Sequence, residues 1–434
     1  MTPPADNSSS WSGLWNGSPR IPHVPLDEET RRSSDLPGTL LPAPAGMNHP
    51  VIFEPALKQF TNAYRAGEPE FDGEGEGEGE EMGRAWRRAR RTALDTVLAA
   101  VADGPWGRHL VLRGSALMAT WFGEAAREPG DLDFLVVPQD WAMDGPRASG
   151  LFDTIARDAA AAARGSVRID AAGMVTEDIW TYDRVPGRRM LLPWTAPGVP
   201  GGTVQLDVVF NETLPAPAAV IDLQPLGDGP GCRVLAASPE LSLAWKLLWL
   251  ITDAYPQGKD LYDAVLLAEA TPPRYELVRD AFVLGGTEGL RPAGTWWLDW
   301  LDVETGWGHF IAEHPWVTES AASYRERLAR ALAPLLETAV QPEEDPYSQW
   351  ARWLKPQVES ARTTAAECRA AGLGHLAEGG GAGLAAAVVI VRKLAGSRSL
   401  GLDDALATVL SHEDSWHYWR ENPDAYVRAL DVLR

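Results

Sequence analysis

HLVLRGSALMATWFGEAAREPGDLDFLVV, residues His109 to Val137, reads as strand, tight turn, helix, loop and strand. Leu110, Val111 and Leu112 form a short run of strand formers that stops at Gly114-Ser115. Leu117, Met118, Trp121 and Phe122 then recur at helical spacing. A strand therefore feeds a helix through Gly-Ser. Glycine lets the backbone approach a ligand closely, and Ser115 adds a hydroxyl to the free N–H groups and the positive dipole end of a helix start. After the helix, Gly130 leads into Asp131-Leu132-Asp133-Phe134-Leu135-Val136-Val137. On a strand, Asp131 and Asp133 project to one face while Leu132 turns inward.

Each joint alone has an ordinary reading. Gly-Ser between strand and helix is commonly a turn with an N-cap, and aspartates at a strand mouth are mostly solvated. Adjacent carboxylates repel unless a cation joins them, and hard oxygen ligands suit Mg²⁺, which takes one or two protein carboxylates plus substrate phosphates. The order and spacing of the two joints together are more specific than either joint alone.

Working upstream, Arg84 to Ala102 is expected to be a helix with Trp86, Leu94, Val97 and Leu98 on its apolar side. Arg84, Arg87, Arg88, Arg90 and Arg91 crowd its first half, either as a solvated face or as a contact for triphosphate or an RNA backbone. Before it, residues 1–83 read as a disordered acidic extension ending in the linker repeat GEGEGEGEE, Gly73 to Glu81, which repels itself and can bury nothing.

Downstream, Ser149 to Arg164 is helical, with Leu151, Phe152, Ile155 and Ala159 on one face. Three extended segments follow, Val167 to Thr181, Arg188 to Thr195 and Thr203 to Asn211, with turns expected at Pro186-Gly187 and from Pro197 to Gly202. Asp207 interrupts the last of these strands. A carboxylate in a buried strand is costly unless something binds it, and the ordinary alternative is an edge-strand charge. Ser238-Pro-Glu caps a helix whose Leu243, Leu247, Leu250 and Ile251 fall at core spacing. Lys246 in that neighbourhood either snorkels to solvent or reaches a triphosphate. Gly258-Lys259-Asp260-Leu261-Tyr262-Asp263 opens another helix.

The remainder reads as all-helical. Its tryptophan-rich pieces, Trp296 to Trp300 and Trp416 to Trp419, suit core packing or a stacking surface for a base. Leu384 to Leu394 reads as a buried helix, too short to span a membrane.

Composition bounds the function. With 434 residues, 45% of them hydrophobic, the chain holds material for two or three domains. Two cysteines, Cys232 and Cys368, suit a reducing cytoplasm, and neither a signal peptide nor a membrane span is indicated. A net charge of −21 opposes broad non-specific attachment to nucleic acid.

The arrangement of strand, Gly-Ser, helix and Asp-x-Asp resembles the DNA polymerase beta-like nucleotidyltransferase superfamily, which demands a third carboxylate from a later, neighbouring strand. Adding QLDVVF, ASPELSLAWKLLWL and GKDLYDAVLLAE, the set from about Arg84 to Ala270 resembles the AbiEii/AbiGii toxin-type branch. The resemblance implies an α+β fold, with a nucleotidyltransferase core (mixed sheet, flanking helices) over residues 84–236 and an all-helical region over 237–434.

It further implies two Mg²⁺ ions, Mn²⁺ being an alternative, held by Asp131, Asp133 and Asp207. It places Gly114, Ser115, Lys246, Asp260 and Asp263 around the nucleotide, with Lys246 also counted among the catalytic residues. The activity implied is transfer of a nucleoside monophosphate from an NTP to an acceptor hydroxyl. The protein would be the cytoplasmic toxin of a toxin–antitoxin or phage-defence system, acting on RNA such as the tRNA acceptor end and paired with an antitoxin. A small-molecule or protein hydroxyl as acceptor, or an inactive binding protein on the same fold, are the competing readings. Arg113 stands where the family often has a first glycine, and Pro129-Gly130 replaces a Ser/Thr-containing approach to the acids.

Overall fold

The computed structural model describes residues 78–434 except 164, 182–184, 228–230, 254–255, 301–303, 364–370, 397–399 and 413. Residues 1–77 of the expected acidic extension, and Cys368, lie outside the described residues. The described chain divides into two compact units. The first runs to Glu212 and includes Ala218–Ala237, and the second comprises Thr213–Pro217 and Ser238–Arg434.

In the first unit, helix α1 (Glu78–Asp103) starts ahead of Arg84 and takes in the end of the acidic repeat. Trp86, Leu94, Val97 and Leu98 are buried, as their spacing requires. Strand β1 (Leu110–Arg113), helix α2 (Ser115–Phe122) and strand β2 (Leu132–Val136) follow as expected, then helix α3 (Leu151–Ala162) with Leu151, Phe152, Ile155 and Ala159 buried.

The first expected extended segment is two strands, β3 (Arg168–Ile169) and β4 (Val175–Thr181). The Asp170 carboxylate accepts the amides of Ala172 and Gly173 in the turn between them. Strands β5 (Val185–Ala196) and β6 (Val199–Val209) form a long hairpin closed at Gly198, whose φ is 77°. Pro186-Gly187 is therefore inside β5 and is not a turn. Gly187 sits in close packing there: a Cβ would lie 3.1 Å from both the Ile179 side chain and the Val208 carbonyl oxygen. Two short strands, β7 (Ala219–Leu223) and β8 (Cys232–Ala236), carry too little apolar length to stand out in the sequence.

The mixed sheet runs β3-β5-β6-β2-β1-β8-β7, with β4 also paired to β5. β2 is antiparallel to β1 and parallel to β6, so β6 is an interior strand flanked by β5 and β2. That disposes of Asp207 as an edge charge. Asp95 of α1 accepts the amides of Leu226 and Gly227 at 2.8 Å each, tying the helix to the loop ahead of β8. Burial pushes its carboxyl above the ordinary aspartate range, and the two amides offset part of that rise.

The second unit is helical. Helix α4 (Pro239–Thr252) has the expected Ser238 cap, with the Leu241 amide donating to Ser238 Oγ at 3.2 Å, and it is buried on every side from Leu241 to Ile251. It is followed by α5 (Gly258–Ala270) and α6 (Tyr275–Gly285). Next come α7 (Trp296–Trp300), α8 (Glu304–Glu313), α9 (Ala321–Ala339), α10 (Pro346–Trp353) and α11 (Lys355–Thr363). The chain closes with α12 (Gly380–Leu394), α13 (Leu402–His412), α14 (His417–Glu421) and α15 (Pro423–Leu430).

Several of the second unit's tryptophans serve packing. Trp297 is fully buried and stacks on Phe282 at 4.6 Å, Trp353 meets both edge-on, and Trp416 is likewise buried. Gly372–Leu394 is, by length and composition, long and apolar enough to cross a membrane, a longer stretch than Leu384 to Leu394 alone. It begins as a 3₁₀ segment, turns at Gly380 with φ 57°, and buries Leu384 to Ile390 completely inside this unit. Core packing accounts for its apolar character.

Candidate active site

The first unit brings Gly114, Ser115, Asp131, Asp133 and Asp207 together. Asp133 of β2 lies in register with Asp207 of β6, and in-register residues of paired strands share a face. Asp131 lies just ahead of β2, two residues before Asp133. One carboxylate oxygen from each of the three lies within 4.8 Å of the others; Asp131 and Asp133 are partly exposed and Asp207 is buried. Three hard anionic ligands so close, two of them open to solvent, fit a divalent cation.

Gly114 has φ 83° and ψ −150°, a conformation that L side chains rarely adopt. A Cβ at this position would lie 2.5 Å from Asp133 Oδ2, so the glycine both turns the chain into α2 and gives the carboxylate its room. Ser115 is buried, and its hydroxyl donates to Asp131 Oδ1 at 3.4 Å. The helix start thus steadies the first acid.

Two positioning features were not legible in the sequence. Arg189 of β5 lies opposite Asp207 and holds it in a fork, Nε donating to Oδ1 and Nη2 to Oδ2, both at 2.8 Å. Gln205 adds a third donor to Oδ2 at 3.2 Å. Asp207 in its buried strand is therefore compensated by a guanidinium within the chain. The only sequence signal is Arg188-Arg189 in an apolar strand, and strand alternation sends Arg188 to the other face, where it pairs with Asp178 and Asp144.

The arginines of α1 are the second feature. Arg91 makes a two-pronged contact with Glu128 at 2.8 and 2.6 Å, and Arg90 donates to the carbonyl of Gly130 at 3.0 Å. These side chains anchor the Pro129-Gly130 approach to Asp131. Arg113, at the expected first-glycine position, sends its buried guanidinium to Glu212 at 2.8 Å.

The second unit carries Lys246, Asp260 and Asp263. Lys246 is buried and does not snorkel: its Nζ lies 2.7 Å from Asp260 and 3.0 Å from Asp263, which is fully buried, and 5.0 Å from the centre of the Trp249 ring. The helical spacing of Asp260 and Asp263 aims both carboxylates at one ammonium. His309 is exposed, His417 lies 3.9 Å from Glu421 on the surface, and neither joins a metal-ligating group among the described residues.

No curated protein matches the chain. A solved structure, MenT4, nucleotidyltransferase toxin Rv2826c from Mycobacterium tuberculosis H37Rv, is similar at 17% identity and a TM-score of 0.40, over 62% of this chain and 88% of that one. The model of the family described as Nucleotidyl transferase AbiEii toxin, Type IV TA system, matches residues 96–367, a span that contains the Gly-Ser turn, the three clustered acids and the buried lysine. The chain belongs to the AbiEii family of nucleotidyltransferase toxins of type IV toxin–antitoxin systems.

Proposed function

We propose that this nucleotidyltransferase moves a nucleoside monophosphate from an NTP to a hydroxyl of RNA, such as the tRNA acceptor end, with Mg²⁺ held by Asp131, Asp133 and Asp207. The observation that carries this is the convergence of three carboxylate oxygens within 4.8 Å beside the Gly114-Ser115 start of α2. Divalent cations there would neutralise triphosphate charge and lower the pKa of the acceptor hydroxyl.

The chain's own residues do the rest. Gly114 admits Asp133, Ser115 orients Asp131, and the amides at the start of α2 supply donors where a helix N-terminus favours phosphate. Lys246, Asp260 and Asp263 enter this reading through the order of the family motifs, as a triphosphate contact and its carboxylate partners. A cognate antitoxin is the protein partner expected of the family. The net charge of −21 favours a second reading, the same chemistry on a small-molecule or protein hydroxyl.

The test is incubation of purified protein with each α-labelled NTP, Mg²⁺ and total RNA, resolved for RNA and protein labelling, alongside Asp131→Asn and Asp133→Asn. Label on RNA with wild type, and none with either variant at unchanged fold, is expected, because one ligand of an octahedral ion is lost without a packing change. Label on protein would favour the second reading. Wild-type rates in either variant would overturn the carboxylate assignment.

A further inference from the structure

The two oxygens of the Asp207 carboxylate are engaged differently. Oδ1 accepts from Arg189 Nε at 2.8 Å, while Oδ2 accepts from Arg189 Nη2 at 2.8 Å and from Gln205 Nε2 at 3.2 Å. Among the described residues these are the donors to this carboxylate. Gln205 lies two residues ahead of Asp207 on β6, so strand alternation puts the two on one face, and both are buried. Register with Asp133 of β2 and Arg189 of β5 makes it the face of the candidate site. An ionised carboxylate offers about four acceptor positions, two on each oxygen. Oδ2 is therefore filled, and the position left for a metal is on Oδ1. The guanidinium fork also spans both oxygens, which denies a cation the approach it needs to bind the two at once. Whatever else Arg189 engages, Asp207 keeps this division.

We propose that Arg189 and Gln205 restrict Asp207 to ligation through Oδ1 alone, and that this restriction selects a small octahedral cation, Mg²⁺ or Mn²⁺, over Ca²⁺. Ca²⁺ takes about 6–8 oxygens and readily accepts both oxygens of one carboxylate, whereas Mg²⁺ demands near-ideal octahedral geometry. The inference rests on the reading of the three acids as a cation site, and it makes Arg189 and Gln205 positioning residues acting through Asp207. A merely structural Arg189 predicts something else: its removal would loosen β5 and β6 and weaken both ions alike.

The experiment is Mn²⁺ binding to the full chain without nucleotide, read by the electron paramagnetic resonance of free Mn²⁺, with Mg²⁺ and Ca²⁺ as separate competitors. Wild type should give up Mn²⁺ to Mg²⁺ at lower concentration than to Ca²⁺. In Arg189→Met the fork is gone and both oxygens of Asp207 open to chelation, so the preference for Mg²⁺ over Ca²⁺ should fall by about tenfold, the scale of one added oxygen ligand. Arg189→Lys keeps a charge but not the fork, so the preference should fall by less, and this variant carries the test if the methionine variant does not fold. Gln205→Leu keeps the fork and should leave the preference within about twofold of wild type, because chelation stays blocked.

An unchanged Mg²⁺ to Ca²⁺ preference in the arginine variants, with Mn²⁺ still bound, overturns the selective role of Arg189 and leaves the cation site standing. So does a wild type that binds Ca²⁺ as tightly as Mg²⁺, or a Gln205→Leu variant that loses as much preference as Arg189→Met. Failure of wild type itself to bind Mn²⁺ at millimolar levels removes the cation site and this inference together.

Discussion

At the residue scale, two positions combine local conformation with long-range chemistry. Gly114 is required twice, by its positive φ and by the 2.5 Å approach that a Cβ would make to Asp133 Oδ2. Gly114→Ala should cost about 1–3 kcal/mol from the backbone alone. It should also reduce transfer more than that loss explains, because Asp133 must move; a variant with wild-type transfer rates would show that the close approach is idle. Lys246 sits in a buried triad with Asp260 and Asp263. Lys246→Ala leaves two buried carboxylates without their cation and should destabilise the protein by about 3–5 kcal/mol, read by chemical denaturation. A loss under 1 kcal/mol, on the scale of exposed pairs, would mean the carboxylates find other compensation.

At the element scale, side chains reaching across elements set positions that backbone pattern leaves open. In the first unit, Arg90 and Arg91 tie α1 to the loop that presents Asp131. In the second, Arg327 of α9 forks onto Glu269 of α5 at 2.8 and 2.7 Å while lying over the Tyr324 ring. The hydrogen bond from Arg327 holds the Glu269 carboxyl below the ordinary glutamate range. A depressed carboxyl pKa contributes stability above the unfolded value and loses it as pH falls through the folded value. Glu269→Gln should therefore cost less than about 1 kcal/mol near neutrality, the pair being partly exposed. The difference between variant and wild type should begin to shrink as pH drops below about 4 and close as pH falls through the lower folded value. Urea titrations at pH 7 and pH 3 measure it, and a gap that grows toward pH 3 contradicts the assignment.

At the scale of the molecule, each unit closes its own core, one around a mixed sheet and one around α4 and the Trp297–Phe282–Trp353 cluster. Residues 1–77 combine Pro, Ser and acidic repeats in a composition that cannot bury a core of its own. A chain beginning at Glu78, where α1 starts, should therefore transfer nucleotide at the rate of the full chain. A soluble but inactive shortened protein would place part of the site in the extension. Starting at Gly83 is the poorer choice, because it removes the first turn of α1.

The sequence by itself determined what neighbours along the chain decide. Gly114-Ser115 between strand and helix, Asp131 and Asp133 two apart at a strand, the Ser238-Pro239 cap and the apolar faces of α1 and α3 all follow from spacing over a few residues. The convergence of three carboxylates was legible too, once a resemblance supplied the demand for a third. Only the tertiary structure decided that Asp207 belongs to an interior strand, that Arg189 rather than Arg188 grips it, and that Lys246 is held by Asp260 and Asp263. It also decided that the basic face of α1 anchors a loop. These outcomes depend on which strands pair, in what register, and which helices meet. Such pairings are non-local: a shift of one residue in the β5–β6 register would turn Arg189 away from Asp207 without changing any local preference.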